Sequence, residues 1–236
     1  MIKKAFVPIC LYSKGFFLEK ENLKYFLYSF SDYDEILFLI IDELYGHNLL
    51  IKNKTKSFNR AKILAEKRGI DIYNFSKNII SEFADNNLSK TKFKLSRWNE
   101  YAKLKMYLNL YQKIKYEINK NSLLKEVCDK FINYNLINLT DEITNTKLLL
   151  EEDYLFSEMT MSILLTEYLG YSIEIWEKPP NPNIPDPISV LYDEGKKTLL
   201  NILNKKETSR NQFYLTELIP EIKDFYNISF ELEMRE

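Results

Sequence analysis

Histidine, cysteine and glycine are scarce in this chain of 236 residues, which has one histidine, two cysteines and five glycines. A single histidine without a cysteine cluster cannot supply the usual ligands of a zinc site. Cys10 and Cys128 form neither a disulfide framework nor a metal-binding spacing, a usage that suits a reducing cytoplasm. The glycines make neither a Gly-x-Gly-x-x-Gly nor a phosphate-loop motif, so nothing in the sequence supports nucleotide binding.

Long apolar runs and an excess of charge are missing as well. The longest apolar run, Ile36–Ile41, is far too short to cross a bilayer, and the first residues lack the apolar core of a signal peptide. Lys and Arg total 33 against 34 for Asp and Glu, which excludes a surface that is basic all round but allows a local basic face. We therefore expect an ordered cytoplasmic protein that does not contact a membrane.

The apolar patterns predict strands that alternate with helices. The predicted strands are 4–11, 35–41, 92–96, 171–177, 213–219 and 227–233, and the predicted helices are 19–30, 44–50, 57–68, 70–84, 99–119, 121–134, 154–168 and 189–204. Gly69 is expected to separate two helices, and the proline-rich stretch 178–188 is expected to be extended. This alternation predicts one three-layer, Rossmann-like α/β domain over residues 1–236. Its parallel sheet of about five strands should bind ligands at the carboxyl edge.

Two features of this predicted fold suggest a catalytic site. Tyr154 and Glu158 are four residues apart, so they share one face of the helix they are expected to open. A carboxylate held beside a hydroxyl can bind an amino group or move a proton. The alternative is that Tyr154 packs in the core and Glu158 is solvated. Cys10 ends the first predicted strand, at the sheet edge where a nucleophile belongs.

Taken in order from about residue 5 to 180, these segments resemble the tRNA-dependent cyclodipeptide synthases. Pro8-Ile9-Cys10 stands where that family has Gly-hydrophobic-Ser, and Phe16-Phe17 follows at the place of its Tyr-Phe pair. Tyr154-x-x-x-Glu158 matches its helix motif, and Trp176 stands where it has a second tyrosine. The resemblance implies a fold similar to the catalytic domain of class I aminoacyl-tRNA synthetases.

The resemblance also implies an activity. Charged tRNAs would donate aminoacyl groups, first to the enzyme and then to one another, and a cyclic dipeptide would be released by this ping-pong scheme. The ester of charged tRNA is already activated, so neither a cofactor nor a metal is expected, and a monomer is assumed. Two alternatives stay open. One is a divergent tRNA-dependent transferase that makes a single amide on another amine, and the other is a non-catalytic α/β binding module.

The nucleophile is not settled by this comparison. Placing Cys10 at the family's serine position requires one extra residue before Phe16, whereas an ungapped match would place Leu11 there, and leucine has no nucleophile. Thiolates accept acyl groups readily, so cysteine preserves covalent catalysis. Ser13, in the following loop with Gly15, is the second candidate, and both loop residues are predicted to bind substrate. The third possibility is that Cys10 is a buried, inert cysteine.

The departure at Trp176 changes what that position can do, because an indole N–H donates a hydrogen bond but cannot accept one or release a proton. Trp176 is nevertheless predicted to belong to the catalytic set. In a strand, Glu174 lies on the same face as Trp176. We expect Glu174 to bring an unpaired negative charge to the substrate, which would favour a cationic or hydrogen-bond-donating aminoacyl side chain. The alternative is that Glu174 points to water.

Basic residues cluster between the second and third predicted strands. By resemblance this segment meets the tRNA acceptor arm through phosphates, and the predicted tRNA-binding residues are Arg60, Lys62, Lys67, Arg68 and Lys77. The alternative is an ordinary solvated face. His47 is assigned no role, and the acidic residues 151–153 are expected to provide negative charge at a helix N-terminus.

Overall fold

Five parallel strands form one sheet in the order β3-β2-β1-β4-β5. The computed structural model describes residues 3–11, 16–30, 32–86, 90–176, 183–208 and 210–214. Within these, the strands are β1 (Lys4–Cys10), β2 (Glu35–Ile41), β3 (Lys92–Arg97), β4 (Ile173–Trp176) and β5 (Asn211–Tyr214). Every residue of β2 is buried, as a parallel strand covered on both faces requires. The predicted parallel sheet is therefore confirmed.

Helices cover both faces of this sheet. In chain order they are α1 (Lys20–Ser29), α2 (Tyr45–Ile51), α3 (Phe58–Asn86), α4 (Trp98–Ala102), α5 (Lys105–Lys120), α6 (Ser122–Leu139), α7 (Asn145–Ile163), α8 (Pro187–Tyr192) and α9 (Lys196–Leu203). Side chains of β1 alternate between two cores. Val7 and Ile9 pack with α1 and α3, whereas Phe6 packs with α7 and the other helices of the opposite layer. The three-layer arrangement is thus confirmed.

The strand order places a switch point between β1 and β4. The chain adds β2 and β3 on one side of β1 and then crosses to build β4 and β5 on the other side. Such a reversal opens a crevice at the carboxyl ends of the two central strands, where ligands bind in open α/β sheets. Cys10 is the last residue of β1 and Trp176 is the last residue of β4, so both lie at this crevice.

Gly69 does not end a helix, contrary to the sequence prediction. α3, which is 29 residues long, continues through this position. A Cβ atom at this position would lie 2.3 Å from the Cβ of Asp42, so glycine is needed for the close approach of α3 to the end of β2. Asp42 is buried there and accepts a hydrogen bond of 2.5 Å from Nε of Arg97, which ties the ends of β2 and β3 together.

α7 also differs from its prediction, because it begins at Asn145 and not at residue 154. Thr144 caps it by accepting a hydrogen bond from the backbone N–H of Lys147 at 3.3 Å. Tyr154 therefore lies in the middle of the helix, and residues 151–153 do not provide its N-terminal charge. The helix passes into a π-helical turn, Leu164–Tyr168, and the chain then reverses at Gly170, whose φ is +78°.

The C-terminal predictions are only partly covered by the described residues. Residues 178–182 of the expected extended segment 178–188 lie outside them, and its end differs because Pro187 opens α8, with Asp186 as N-cap. The helix expected at 189–204 is two helices, α8 and α9. β5 begins at Asn211, two residues before the predicted strand 213–219, and both the remainder of that strand after Tyr214 and the predicted strand 227–233 lie outside the described residues. No helix in the described ranges is long and apolar enough to span a membrane.

Candidate active site at the carboxyl edge of the sheet

β1 carries Cys10 to the crevice between β1 and β4. Its side chain is half-buried, forms no disulfide, and packs on the core of the α7 layer, which Tyr154 also contacts. Even-numbered residues of β1 face α7, so Cys10 points to the layer that carries the Tyr154–Glu158 pair. Ser13 and Gly15, and with them the choice between Cys10 and Ser13 as nucleophile, lie outside the described residues.

Tyr154 and Glu158 are hydrogen-bonded on one face of α7, with the tyrosine hydroxyl donating to the carboxylate. Glu158 is only half-buried, yet protein surrounds its carboxyl group closely, and the loss of hydration raises its pKa to about 8. The Tyr154 hydrogen bond opposes this rise, whereas the negative charges of Glu151, Asp186 and Glu174 add to it. A carboxyl group with this pKa can accept and return a proton near neutral pH.

Glu174 lies deep in the structure and is paired, which differs from the expectation of an unpaired charge. Its Oε2 accepts hydrogen bonds from Arg210 Nε at 2.7 Å and from Ser162 Oγ at 3.1 Å. Burial raises the pKa of Glu174, and the positive charge of Arg210 opposes that rise. Arg210 also lies over the ring of Tyr192, with 5.0 Å from its guanidinium carbon to the ring centroid. The sequence pattern gives no indication that Arg210 pairs with a residue of β4.

Two polar atoms on the α7 side of β4 are buried without a hydrogen-bond partner among the described residues. They are Oε1 of Glu174 and Nε1 of Trp176. The same β-strand face thus presents one acceptor and one donor, two residues apart. Buried polar atoms without partners are rare in folded proteins, so this face is suited to a polar ligand group. Contact between either residue and substrate stays a prediction.

A second polar cluster lies beside Tyr154 and was not predicted from the sequence. His47 Nε2 donates to Asp153 Oδ2 at 2.9 Å, and the hydroxyl of Tyr111 donates to Oδ1 of the same carboxylate. The hydrogen bond from His47 is the main reason that the pKa of Asp153 is lowered. The imidazole ring stands edge-on to the Tyr154 ring, with 6.5 Å between centroids. This cluster therefore fixes the helix turn that carries Tyr154.

A cavity of about 400 Å³ adjoins this cluster. It lies over the ends of β2 and β3 and is lined by Glu43, Leu44, Gly46, His47, Phe58, Ala61, Lys62, Trp98, Ala102, Lys103, Tyr107, Asp153 and Ser157. A smaller cavity of about 320 Å³ lies elsewhere, among α5, α6 and α7. Within the described residues, no group of three or more His, Cys, Asp or Glu side chains is arranged to hold a metal ion.

The predicted tRNA-binding residues form an exposed basic surface on α3. Arg60, Lys62, Lys67, Arg68 and Lys77 are all exposed to solvent. Lys62 pairs with Glu43 at 3.1 Å between Nζ and Oε1, so it also contributes to the rim of the 400 Å³ cavity. Lys62 therefore belongs both to the predicted tRNA-binding residues and to the lining of that cavity.

Comparisons with known proteins show the fold. No family model and no curated protein sequence matches the chain. Among solved structures, a cyclodipeptide synthase (CDPS) from Fluoribacter dumoffii is similar with a TM-score of 0.69 and 16% identity, covering 90% of this chain and 88% of the other. A cyclodipeptide synthase from Candidatus Glomeribacter gigasporarum, bound to Phe-tRNAPhe, is similar with a TM-score of 0.62 and 16% identity. The match covers 89% of this chain and 86% of the other.

A Mycobacterium tuberculosis protein is similar with a TM-score of 0.63 and 15% identity, covering 89% of this chain and 84% of that one. Its structure is described as demonstrating that cyclodipeptide synthetases are related to type I tRNA synthetases. The chain therefore has the fold of these proteins, as the sequence resemblance predicts.

Proposed function

We propose that this chain, which has the cyclodipeptide synthase fold, is an aminoacyltransferase that uses charged tRNAs to make a cyclic dipeptide. The observation that carries the proposal is the Tyr154–Glu158 pair at the sheet crevice, with the pKa of Glu158 raised to about 8. The α-amino group of an amino acid has a pKa of about 7.7–8.0. Proton transfer between such an amine and Glu158 is therefore nearly balanced, which suits a general base for amide formation.

The first half-reaction transfers an aminoacyl group to the enzyme. The Cys10 thiolate attacks the ester carbonyl of a charged tRNA, so a C–S bond forms and the ester C–O bond breaks. The 3′ oxygen of the tRNA leaves and takes up a proton. The product is a thioester, which keeps the carbonyl activated without ATP.

The second half-reaction forms the two amides. The α-amine of a second charged tRNA loses a proton to Glu158 and attacks the thioester, so a C–N bond forms and the C–S bond breaks. The free amine of the resulting dipeptidyl-tRNA then attacks its own ester carbonyl, which closes the ring and releases the tRNA. Tyr154 holds the carboxylate of Glu158 in place through its hydrogen bond. Trp176 can donate a hydrogen bond to substrate but cannot move protons in this scheme.

Product analysis tests the reaction class. The chain is expressed in bacteria and the medium is compared by mass spectrometry with that of cells carrying an empty vector. We expect cyclic dipeptides, because they are uncharged at the ring and diffuse out of the cell. An aminoacylated amine without a cyclic product would instead support a transferase that makes one amide. The absence of any aminoacyl product would support a non-catalytic binding module.

The basic surface of α3 is proposed to bind the phosphates of the acceptor arm. Replacing Arg60, Lys67 and Arg68 with alanine should weaken the binding of every tRNA sequence. The slope of log affinity against log salt should also become shallower, by roughly 1 for each phosphate that the variant no longer binds. Fluorescence anisotropy across a salt series measures both quantities. The matched control replaces Lys120, Lys125 and Lys130, three exposed lysines of α5 and α6. Unchanged binding in the α3 variant would leave its basic residues as a solvated face.

A further inference from the structure

The 400 Å³ cavity and Cys10, the proposed nucleophile, lie along the same edge of the sheet. Cys10 is paired in register with Ile41, and neighbouring strands are about 4.8 Å apart. The lining of the cavity begins two residues after Ile41, at Glu43. On α7, Asp153 and Ser157 line the cavity, and each directly precedes one member of the Tyr154–Glu158 pair. A group bound in this cavity therefore lies within the reach of a short linker to Cys10.

The lining suits a flat, aromatic ligand with polar edges. Trp98 and Tyr107 are buried against it, and Phe58 at its rim remains 59% exposed. Aromatic side chains of this kind stack on nucleic-acid bases, each of which offers a flat π-face. The volume falls within the range of about 300–1,000 Å³ that is usual for small-molecule sites.

The charges around the cavity also favour the end of a polyanion. Of its two acidic side chains, Glu43 pairs with Lys62 at 3.1 Å, and Asp153 accepts hydrogen bonds from His47 at 2.9 Å and from the hydroxyl of Tyr111. Lys103 adds a further exposed positive charge at the rim. The charge of Glu43 is therefore compensated by Lys62, while its carboxylate retains an oxygen that accepts hydrogen bonds. Glu43 and the hydroxyl of Ser157 are acceptors within reach of an exocyclic amino group.

We propose that this cavity binds the terminal adenosine of the charged tRNA, with the adenine base stacked on the aromatic lining. This inference rests on the proposed function. The aminoacyl group is esterified to the ribose of that adenosine, so a base held over β2 and β3 brings the ester carbonyl to Cys10 at the end of β1. The basic surface of α3 begins at the rim of the cavity, at Lys62, and leads the phosphates of the acceptor strand towards it.

Binding of two RNA probes tests this placement. One is an uncharged acceptor-stem minihelix with its terminal adenosine, and the other is the same minihelix with the terminal adenine base removed. Loss of a stacked base should weaken binding to the wild-type chain by about tenfold or more. Phe58→Ala should weaken binding of the intact probe to a similar degree and should leave binding of the abasic probe unchanged. Phe58 is exposed at the rim, so its replacement spares the core.

Ile63 provides the matched control, since it is 63% exposed on the same helix and is not part of the cavity lining. Ile63→Ala should leave the affinity of both probes unaltered. Equal affinity of the wild-type chain for the two probes would overturn the adenosine site and leave tRNA binding intact. If Phe58→Ala bound both probes as the wild type does but made products from different amino acids, the cavity would instead be assigned to an aminoacyl side chain. Failure to bind either probe would refute the proposed function together with this inference.

Discussion

Cys10→Ala is expected to abolish covalent labelling of the protein by a charged, radiolabelled tRNA. In the wild-type chain the label should survive denaturation and be released by hydroxylamine, as a thioester is. The physical reason is that Cys10 ends β1 at the sheet crevice and faces the layer carrying Tyr154 and Glu158. Cys10→Ser should retain slow turnover, because a hydroxyl forms an ester in the same place but is a weaker nucleophile than a thiolate.

Cys128 is the control for this experiment. It is buried in α6, and burial raises the pKa of its thiol to about 12, so it carries almost no thiolate at neutral pH. Cys128→Ala should therefore keep the label of the wild-type chain. Undiminished labelling of Cys10→Ala would move the nucleophile to Ser13. Absence of label from the wild-type chain, with cyclic product still formed, would remove the covalent intermediate from the scheme.

The strands were the most predictable part of the fold. β2 is a continuous apolar run that ends at a charged residue, and its predicted limits agree with those found. β1 and β3 were placed to within one residue at each end. A strand buried on both faces, such as β2, leaves a strong signal because nearly all of its residues are apolar. The parallel sheet follows from the alternation of such runs with helices.

Helix limits were less predictable because tertiary contacts decide them. Gly69 has the local character of a helix terminator, yet the close approach of Asp42 explains its presence inside α3. The true start of α7 is set by the cap at Thr144, which lies between the predicted helices 121–134 and 154–168. At Gly69 a contact distant in sequence therefore decides the structure, whereas the start of α7 depends on a local cap that the apolar pattern does not reveal.

The candidate site was predictable only where its residues share an element. Tyr154 and Glu158 are one helical turn apart, so their hydrogen bond follows from spacing. The pair between Glu174 and Arg210 spans 36 residues, and that between His47 and Asp153 spans 106. Such pairs depend on which strands and helices become neighbours. A lone histidine gives no indication of its partner, although an aspartate directly before Tyr154 was a weak signal.

Glu158→Gln is expected to lower the rate of amide formation by about 10²–10⁴-fold, the usual contribution of a general base. The amide keeps the shape of the carboxyl group and can still accept a hydrogen bond from Tyr154, but it cannot take a proton from the attacking amine. Labelling at Cys10 should persist in this variant, because the base is needed for the second half-reaction. Single-turnover transfer from labelled enzyme to a second charged tRNA measures the step directly.

The pH dependence of stability distinguishes this catalytic loss from damage to the fold. The pKa of Glu158 is about 8 in the folded chain and about 4.3 when unfolded. The folded state therefore holds its proton more tightly, so this group lowers wild-type stability as pH rises from about 4.3 to about 8. Glutamine does not titrate. Compared with the wild type, the variant should gain thermal stability over that interval, with no further gain above it. A variant less stable than the wild type at pH 8, or one that retains full transfer activity, would contradict the assignment of Glu158 as the base.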